Sequence, residues 1–359
     1  MNNTLLRRIF EEEPVIMGNG CTGVYVAKKI IPEKFKGQAL TDREGSADGF
    51  ECRAPYWSFE LNMFPQGQIA VRQAHKDYLD ATTDLFWTIM SMNVFRGNRR
   101  ILTNGHIASR LEELNRIAAH NLEHVVLESG RRNILKVATI GPGGDCYDAS
   151  SCSSRESASK MHYDQLKCLQ PFADYFQFET FPSVEELKGA LDALRRVNAE
   201  YQKLGLEPKL AAINFVLNKN QEDKEDYGKV LDGSHPGAAI EGILKEYQDL
   251  ILYAGFNCTP QHAVIEGLRK VRTYDKRLLS IIKDVHINPT DTDPSKRHSI
   301  HGIDSIASTE LIQFYETLRE EFPAVKILWG CCGVLPEQIK ALHDHYAGKA
   351  EYKGRVALK

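Results

Sequence analysis

Eight apolar, β-rich runs alternate with helix-period segments along the whole chain, and that alternation leaves few folds open. The runs are Pro14 to Met17, Leu85 to Met90, Ile134 to Ile140, Tyr175 to Phe178, Leu210 to Leu217, Asp249 to Phe256, Leu278 to Ile287 and Val325 to Trp329. Helical spacing covers Ala70 to Ala81, Ile107 to Glu128, Met161 to Phe172, Val184 to Leu204, Ala238 to Tyr247, Gln261 to Val271, Thr309 to Glu321 and Pro336 to His345. Pro336 suits a first helical turn, where its missing N–H costs nothing, and Ser183 suits an N-cap ahead of Glu185 and Glu186. Strict alternation predicts an α/β fold of the (β/α)8 TIM-type barrel class; an open doubly wound sheet also satisfies it. The 359 residues are of barrel size, and residues 1–359 are read as one domain.

A barrel places its chemistry on the loops that follow the strands. Two such connections are long, Ile30 to Gly67 and Asn288 to Ile306, and both are expected on that face. Three cysteines fall there too. Cys258 ends the sixth run, and Cys331 and Cys332 follow the eighth. Neighbouring side chains on a regular strand point to opposite faces, but Gly330 and Gly333 bracket the pair and let the backbone turn both sulfurs inward. Three thiolates with a fourth position open make a zinc arrangement suited to chemistry, where a substrate thiol can be held as thiolate. Read singly, the same cysteines are core fillers.

Composition narrows the alternatives. An apolar fraction of 42% with 26% charged residues is that of a globular protein, and a net charge of −3 gives no reason to expect nucleic acid or a membrane surface as partner. No apolar stretch approaches the roughly 20 residues needed to span a bilayer. Met1 to Glu13 carries Arg7, Arg8 and three glutamates and is not a signal peptide. Eight cysteines in such a chain point to metal binding or free thiols, and the expected compartment is the cytoplasm.

The residues around the thiols carry a family resemblance. Gly330-Cys331-Cys332-Gly333-Val334-Leu335-Pro336-Glu337-Gln338-Ile339 resembles the zinc motif of the homocysteine S-methyltransferases, and Gly255-Phe256-Asn257-Cys258-Thr259-Pro260 resembles that family's other zinc segment. Further segments are similar in the same order: Asp84 to Leu102, Leu114-Asn115-Arg116-Ile117-Ala118, Ile140-Gly141-Pro142-Gly143-Gly144, and Phe178 to Glu186. The double-cysteine motif with a distant Asn-Cys is specific; the glycine loops are not.

The resemblance implies a barrel holding one Zn2+ through Cys258, Cys331 and Cys332, with homocysteine's sulfur in the open position attacking an onium methyl group to give methionine. Glu179 matches the family glutamate that holds the homocysteine amino group, although a carboxylate there also suits a cap on the helix after Ser183. Asn19, Gly20 and Asn257 are expected to touch substrate. Asn19 stands where the family has aspartate, keeping an acceptor oxygen but losing the charge, and Trp329 stands where a glycine is usual. Tyr56-Trp57-Ser58 resembles a segment of the sulfonium-using branch, which makes Trp57 the candidate onium wall among Phe50, Tyr56, Phe59 and Phe64.

The partners implied are homocysteine and a small onium donor, S-methylmethionine or S-adenosylmethionine before betaine, with neither nucleic acid nor membrane; an oligomer is compatible. A catalytically silent zinc barrel is the competing reading, resting on Asn19 and Trp329. Cys21, Cys146 and Cys152 are read as unligated, His298 and His301 as solvated, and Gly141 to Gly144 as a turn rather than a phosphate cradle.

Overall fold

A computed structural model describes residues 1–30, 56–289 and 305–349. Its eight parallel strands close into a barrel in chain order. They are β1 (Ile16–Gly18), β2 (Trp87–Met92), β3 (Ile134–Ile140), β4 (Tyr175–Phe181), β5 (Ala211–Phe215), β6 (Ile251–Asn257), β7 (Ile282–His286) and β8 (Ile327–Leu328). Closure comes from β1 pairing with β8, Ile16 opposite Ile327 and Met17 opposite Leu328. The open-sheet alternative is thereby removed.

The period-2 rule sorts the side chains. On β3, Leu135 and Val137 join the cluster inside the barrel, while Ile134, Ala138 and Ile140 join the larger core under the outer helices. Outer helices include Pro65–Asp80, Leu111–Ser129, Arg155–Leu169, Val184–Lys203, Pro236–Tyr247, Gln261–Asp275, Ser308–Glu321 and Pro336–Ala347. Pro336 does sit in a first turn. Ser183 occupies its N-cap position without a capping bond; the Val184 N–H donates instead to Asp232 Oδ2 at 2.8 Å.

A further helix, not among the expected ones, covers Asn3–Glu12. Leu6, Ile9 and Phe10 recur at helical spacing and are buried, and the Phe10 ring packs on Tyr175 and Tyr253 inside the barrel. This helix plugs the end opposite the strand C-termini. Between plug and mouth lies a polar layer. Asp284 accepts from Trp329 Nε1, Asn214 Nδ2 and Gln177 Nε2, and Gln177 Oε1 accepts from Tyr253, which contacts Tyr175. Gly18 leaves room for the indole, since a Cβ there would come within 2.5 Å of Trp329. Phe50, His298 and His301 lie outside the described residues, as does most of each long connection.

Candidate active site

The strand C-termini open onto a cavity of about 890 Å³, of the size that small-molecule sites have. Cys258, Cys331 and Cys332 stand together in its wall, their sulfurs all within 4.8 Å of one another. Barrel closure brings them together: Cys258 follows β6, and the Cys331–Cys332 turn follows β8, two strands away around the ring. Cys258 holds a left-handed backbone at φ 51°, with its N–H bonded to His286 O of β7. Gly333 at φ 84° supplies the matching turn. Thr180 (φ 57°) and Trp57 (φ 49°) also line the cavity, so three of the four left-handed non-glycine residues described sit around it. Each costs on the order of 1–3 kcal/mol and persists only where surrounding structure enforces it.

The trio has the spacing a metal ion needs. Two sulfurs on a tetrahedral ion at about 2.3 Å stand roughly 3.8 Å apart. Cys258 Sγ and Cys332 Sγ are 3.8 Å apart. The Cys258 thiol lies well below the usual thiol range because Cys331, Cys332 and the Tyr147 hydroxyl (2.8 Å) hydrogen-bond to it. Cys21 arrives from the turn after β1. It packs against the cluster that holds Cys258 and Cys332, a contact no local pattern predicts, yet it lies outside the group of three.

Glu179, at the end of β4, lines the same cavity. Burial and the negative charges of Asp284, Cys258 and Cys21 push its carboxyl well above the ordinary range. No hydrogen bond or ion pair holds that carboxylate among the described residues, and the helix cap expected of it is made by Asp232. An unpartnered carboxylate in a cavity wall suits an ammonium group.

The other expected contacts divide. Gly20 lines the cavity where a Cβ would come within 2.1 Å of Val334 O, so only glycine lets this turn pack against the double-cysteine turn. Asn19 also lines it, but Oδ1 accepts from Ser91 N and Oγ, both at 3.0 Å, and Nδ2 donates to Gly20 O at 2.7 Å. Asn257 does not line the cavity. It is fully buried, accepting from Thr180 N at 2.7 Å and donating to Thr180 Oγ1 at 2.8 Å, so it positions the Glu179 turn beside Cys258. Trp329 also lines the cavity and turns its indole into the barrel, where Nε1 donates to Asp284. The Gly141–Gly144 turn has its Gly143 N–H taken by Glu186 Oε1 at 2.7 Å, which excludes a phosphate cradle at that amide.

Trp57 lines the cavity in an unforeseen setting. It stacks on Phe95 (5.9 Å, 19°), and the Arg96 guanidinium lies over its ring, 5.2 Å from the centroid. The guanidinium and the Phe95 ring thus take up part of the aromatic surface that an onium group would meet.

A closed barrel with three converging thiols and an unpaired carboxylate at its mouth has the form of a thiol-directed transferase. The homocysteine S-methyltransferase family model matches residues 37–346, and the chain belongs to that family; it is a methyltransferase of class 2.1.1. The match begins after β1, leaving the Asn19 turn outside it. The structure is similar to the Escherichia coli homocysteine methyltransferase MmuM. The metallated form gives a TM-score of 0.66 at 15% identity, covering 95% of this chain and 99% of that one. The oxidized form gives 0.65 at 17%, covering 96% and 100%. At such identity the likeness shows the shared fold. No curated protein matches the sequence.

Proposed function

We propose that this methyltransferase moves a methyl group from a sulfonium donor, S-methylmethionine or S-adenosylmethionine, to the thiol of L-homocysteine, giving methionine. The observation that carries this reading is the sharing of one cavity by the three thiols and the unpartnered Glu179 carboxylate. That matches the two ends of an aminothiol. Cys258, Cys331 and Cys332 would hold a zinc ion, which keeps a substrate sulfur deprotonated at neutral pH. Glu179 receives the homocysteine ammonium and fixes the direction from which the sulfur reaches the thiols. Asn257 and Thr180 keep that carboxylate in place. In the transfer the homocysteine thiol gives its proton to solvent, a new carbon–sulfur bond forms, the old one to the donor breaks, and the donor leaves as a neutral thioether.

The whole chain is read as one barrel domain working in the cytoplasm. Among the described residues no helix is long and apolar enough to cross a membrane. Against the silent-barrel reading stands the direction of the Trp329 indole, whose Nε1 donates to Asp284. Purified protein with zinc and homocysteine, offered S-methylmethionine, S-adenosylmethionine and betaine in turn, should form methionine with a sulfonium and little with betaine. Turnover with betaine alone would overturn the donor assignment, and none with any donor would favour the silent barrel.

A further inference from the structure

The loop after β3 crosses the barrel mouth to reach the thiols. Tyr147 stands in it, and its hydroxyl oxygen lies 2.8 Å from Sγ of Cys258, which follows β6. The loop is held firmly. The Tyr147 N–H donates to Asp145 Oδ1 at 2.9 Å, and the Asp145 N–H donates to Ser151 Oγ at 2.8 Å. Two arginines from the segment after β2 tie it down: Arg96 Nη1 donates to Gly144 O and Arg100 Nη1 to Ser151 O, both at 2.9 Å. Tyr147 packs against a small apolar cluster in which Val24 and Leu335 surround Cys258 and Cys332. Cys258 and Tyr147 both line the cavity that must also admit a methyl donor.

Between a hydroxyl and a thiol either atom can donate, but a cysteine that ligates a metal is a thiolate and only accepts. With the ion held as proposed, the Tyr147 O–H therefore donates to Cys258 Sγ. Such a site has a selectivity problem. The sulfurs of three cysteines and of the substrate share one cavity with a methyl donor, and a methyl group placed on a cysteine ruins the site. In that side reaction a bond forms between Cys258 Sγ and the methyl carbon, and the donor's own carbon–sulfur bond breaks. The donor leaves as a neutral thioether, and Cys258 becomes a neutral thioether that no longer balances the charge of the ion. A sulfur whose electron pair is engaged by a hydrogen bond must loosen that bond before it attacks, so it is the weaker nucleophile. We infer that Tyr147 guards Cys258: its hydroxyl engages the ligand sulfur and leaves the substrate sulfur as the one that takes the methyl group. The inference rests on the methyl-transfer reading and deepens it, making Tyr147 a positioning residue that sets which sulfur reacts.

The test is alkylation of the zinc-loaded protein by iodomethane, read by peptide mass. Tyr147→Phe keeps the ring and removes only the hydroxyl. Its Cys258 should be methylated about tenfold faster than in wild type, with zinc content unchanged before alkylation. Cys331, the more exposed member of the trio, serves as the internal control and should react at the same rate in both proteins. In the cobalt-loaded variant the sulfur-to-cobalt charge-transfer band should move to longer wavelength, a shift that lost packing alone would not produce. Asp145→Ala frees the Tyr147 N–H at a half-buried position and should speed Cys258 methylation in the same direction, which keeps the inference testable if Tyr147→Phe does not fold. Equal Cys258 rates in wild type and both variants would overturn the inference. Loss of zinc from Tyr147→Phe would overturn it too, by making the hydroxyl a ligand. Iodomethane needs no enzymatic turnover, so the two ideas separate: a protein that forms no methionine from any sulfonium, yet shows the faster Cys258 reaction in Tyr147→Phe, would retain the guard and sink the methyl-transfer reading.

Discussion

At the scale of single residues, the three sulfurs and one carboxylate make separable demands. Cys258→Ala, Cys331→Ala and Cys332→Ala should each lose metal, read as zinc per chain after dialysis, because two thiols and water hold the ion far less well than three. Cys168→Ala should keep it. That thiol is buried beneath its helix, donates to Gln165 O at 3.2 Å, and is pushed up to about 12 by burial. Cys21→Ser is the sharper control: its thiol touches Cys332 yet stands outside the trio, so metal should remain. Loss of the ion there would make Cys21 a ligand. Glu179→Ala should weaken homocysteine binding about ten- to hundredfold, the worth of a charge-assisted bond of roughly 1.5–3 kcal/mol, with zinc still bound. Unchanged affinity in a titration of the zinc-loaded variant would remove Glu179 from the substrate site.

At the scale of elements, legibility follows how local each cause is. The β3 run, Ile134 to Ile140, shows its full length in sequence because apolar side chains continue to both ends. The seventh run spans Leu278 to Ile287 in the sequence, but Lys276–Ile281 forms a 3-10 helix whose capping Asp275 accepts from Arg277 N at 2.9 Å. Apolar residues alone do not distinguish that turn from the strand after it. The Asn3–Glu12 helix was visible only as something other than a signal peptide, since its spacing needs a barrel end to bury against. The cysteine trio was legible because each member sits where a strand ends. Cys21 was not, because its contact with Cys332 spans most of the chain and exists only once β1 meets β8. Arg96 read as one letter of a family segment. What marks it is its position over Trp57, which no local pattern carries. Asn257 is expected at the substrate, whereas its amide bonds Thr180, 77 positions away, a direction that no local pattern carries.

At the scale of the whole molecule, the polar layer sets a pH dependence of stability. Burial raises Asp284 from 3.8 to about 7, against the bonds from Trp329, Asn214 and Gln177 that favour its charge. Around it stand His286, kept neutral by burial, and Glu179, Tyr175, Tyr253 and Tyr315, which carry no fixed positive charge. With its folded pKa above its unfolded one, Asp284 binds a proton on folding between about pH 4 and 7. Stability from this group is then full below that window and is lost as pH rises through it, on the order of 4 kcal/mol in all. Urea unfolding from pH 4 to 8 should show Asp284→Asn lacking that decline relative to wild type. Parallel curves for the two proteins would mean the carboxyl is charged throughout.

The barrel has a weak seam. β8 is two residues long, joined to β7 through one pair, Asp284 with Ile327, and to β1 through two. The thiols stand on either side of the β7–β8 joint, Cys258 beyond β6 and Cys331 with Cys332 beyond β8. An ion gripping all three would be a clasp across the β7–β8 joint, binding segments more than 70 positions apart and closing a long loop whose free ends would otherwise wander. With an ion bound as proposed, the atom that readies the substrate and the fastening that shuts the cask would be one and the same, and losing it would unlatch the barrel.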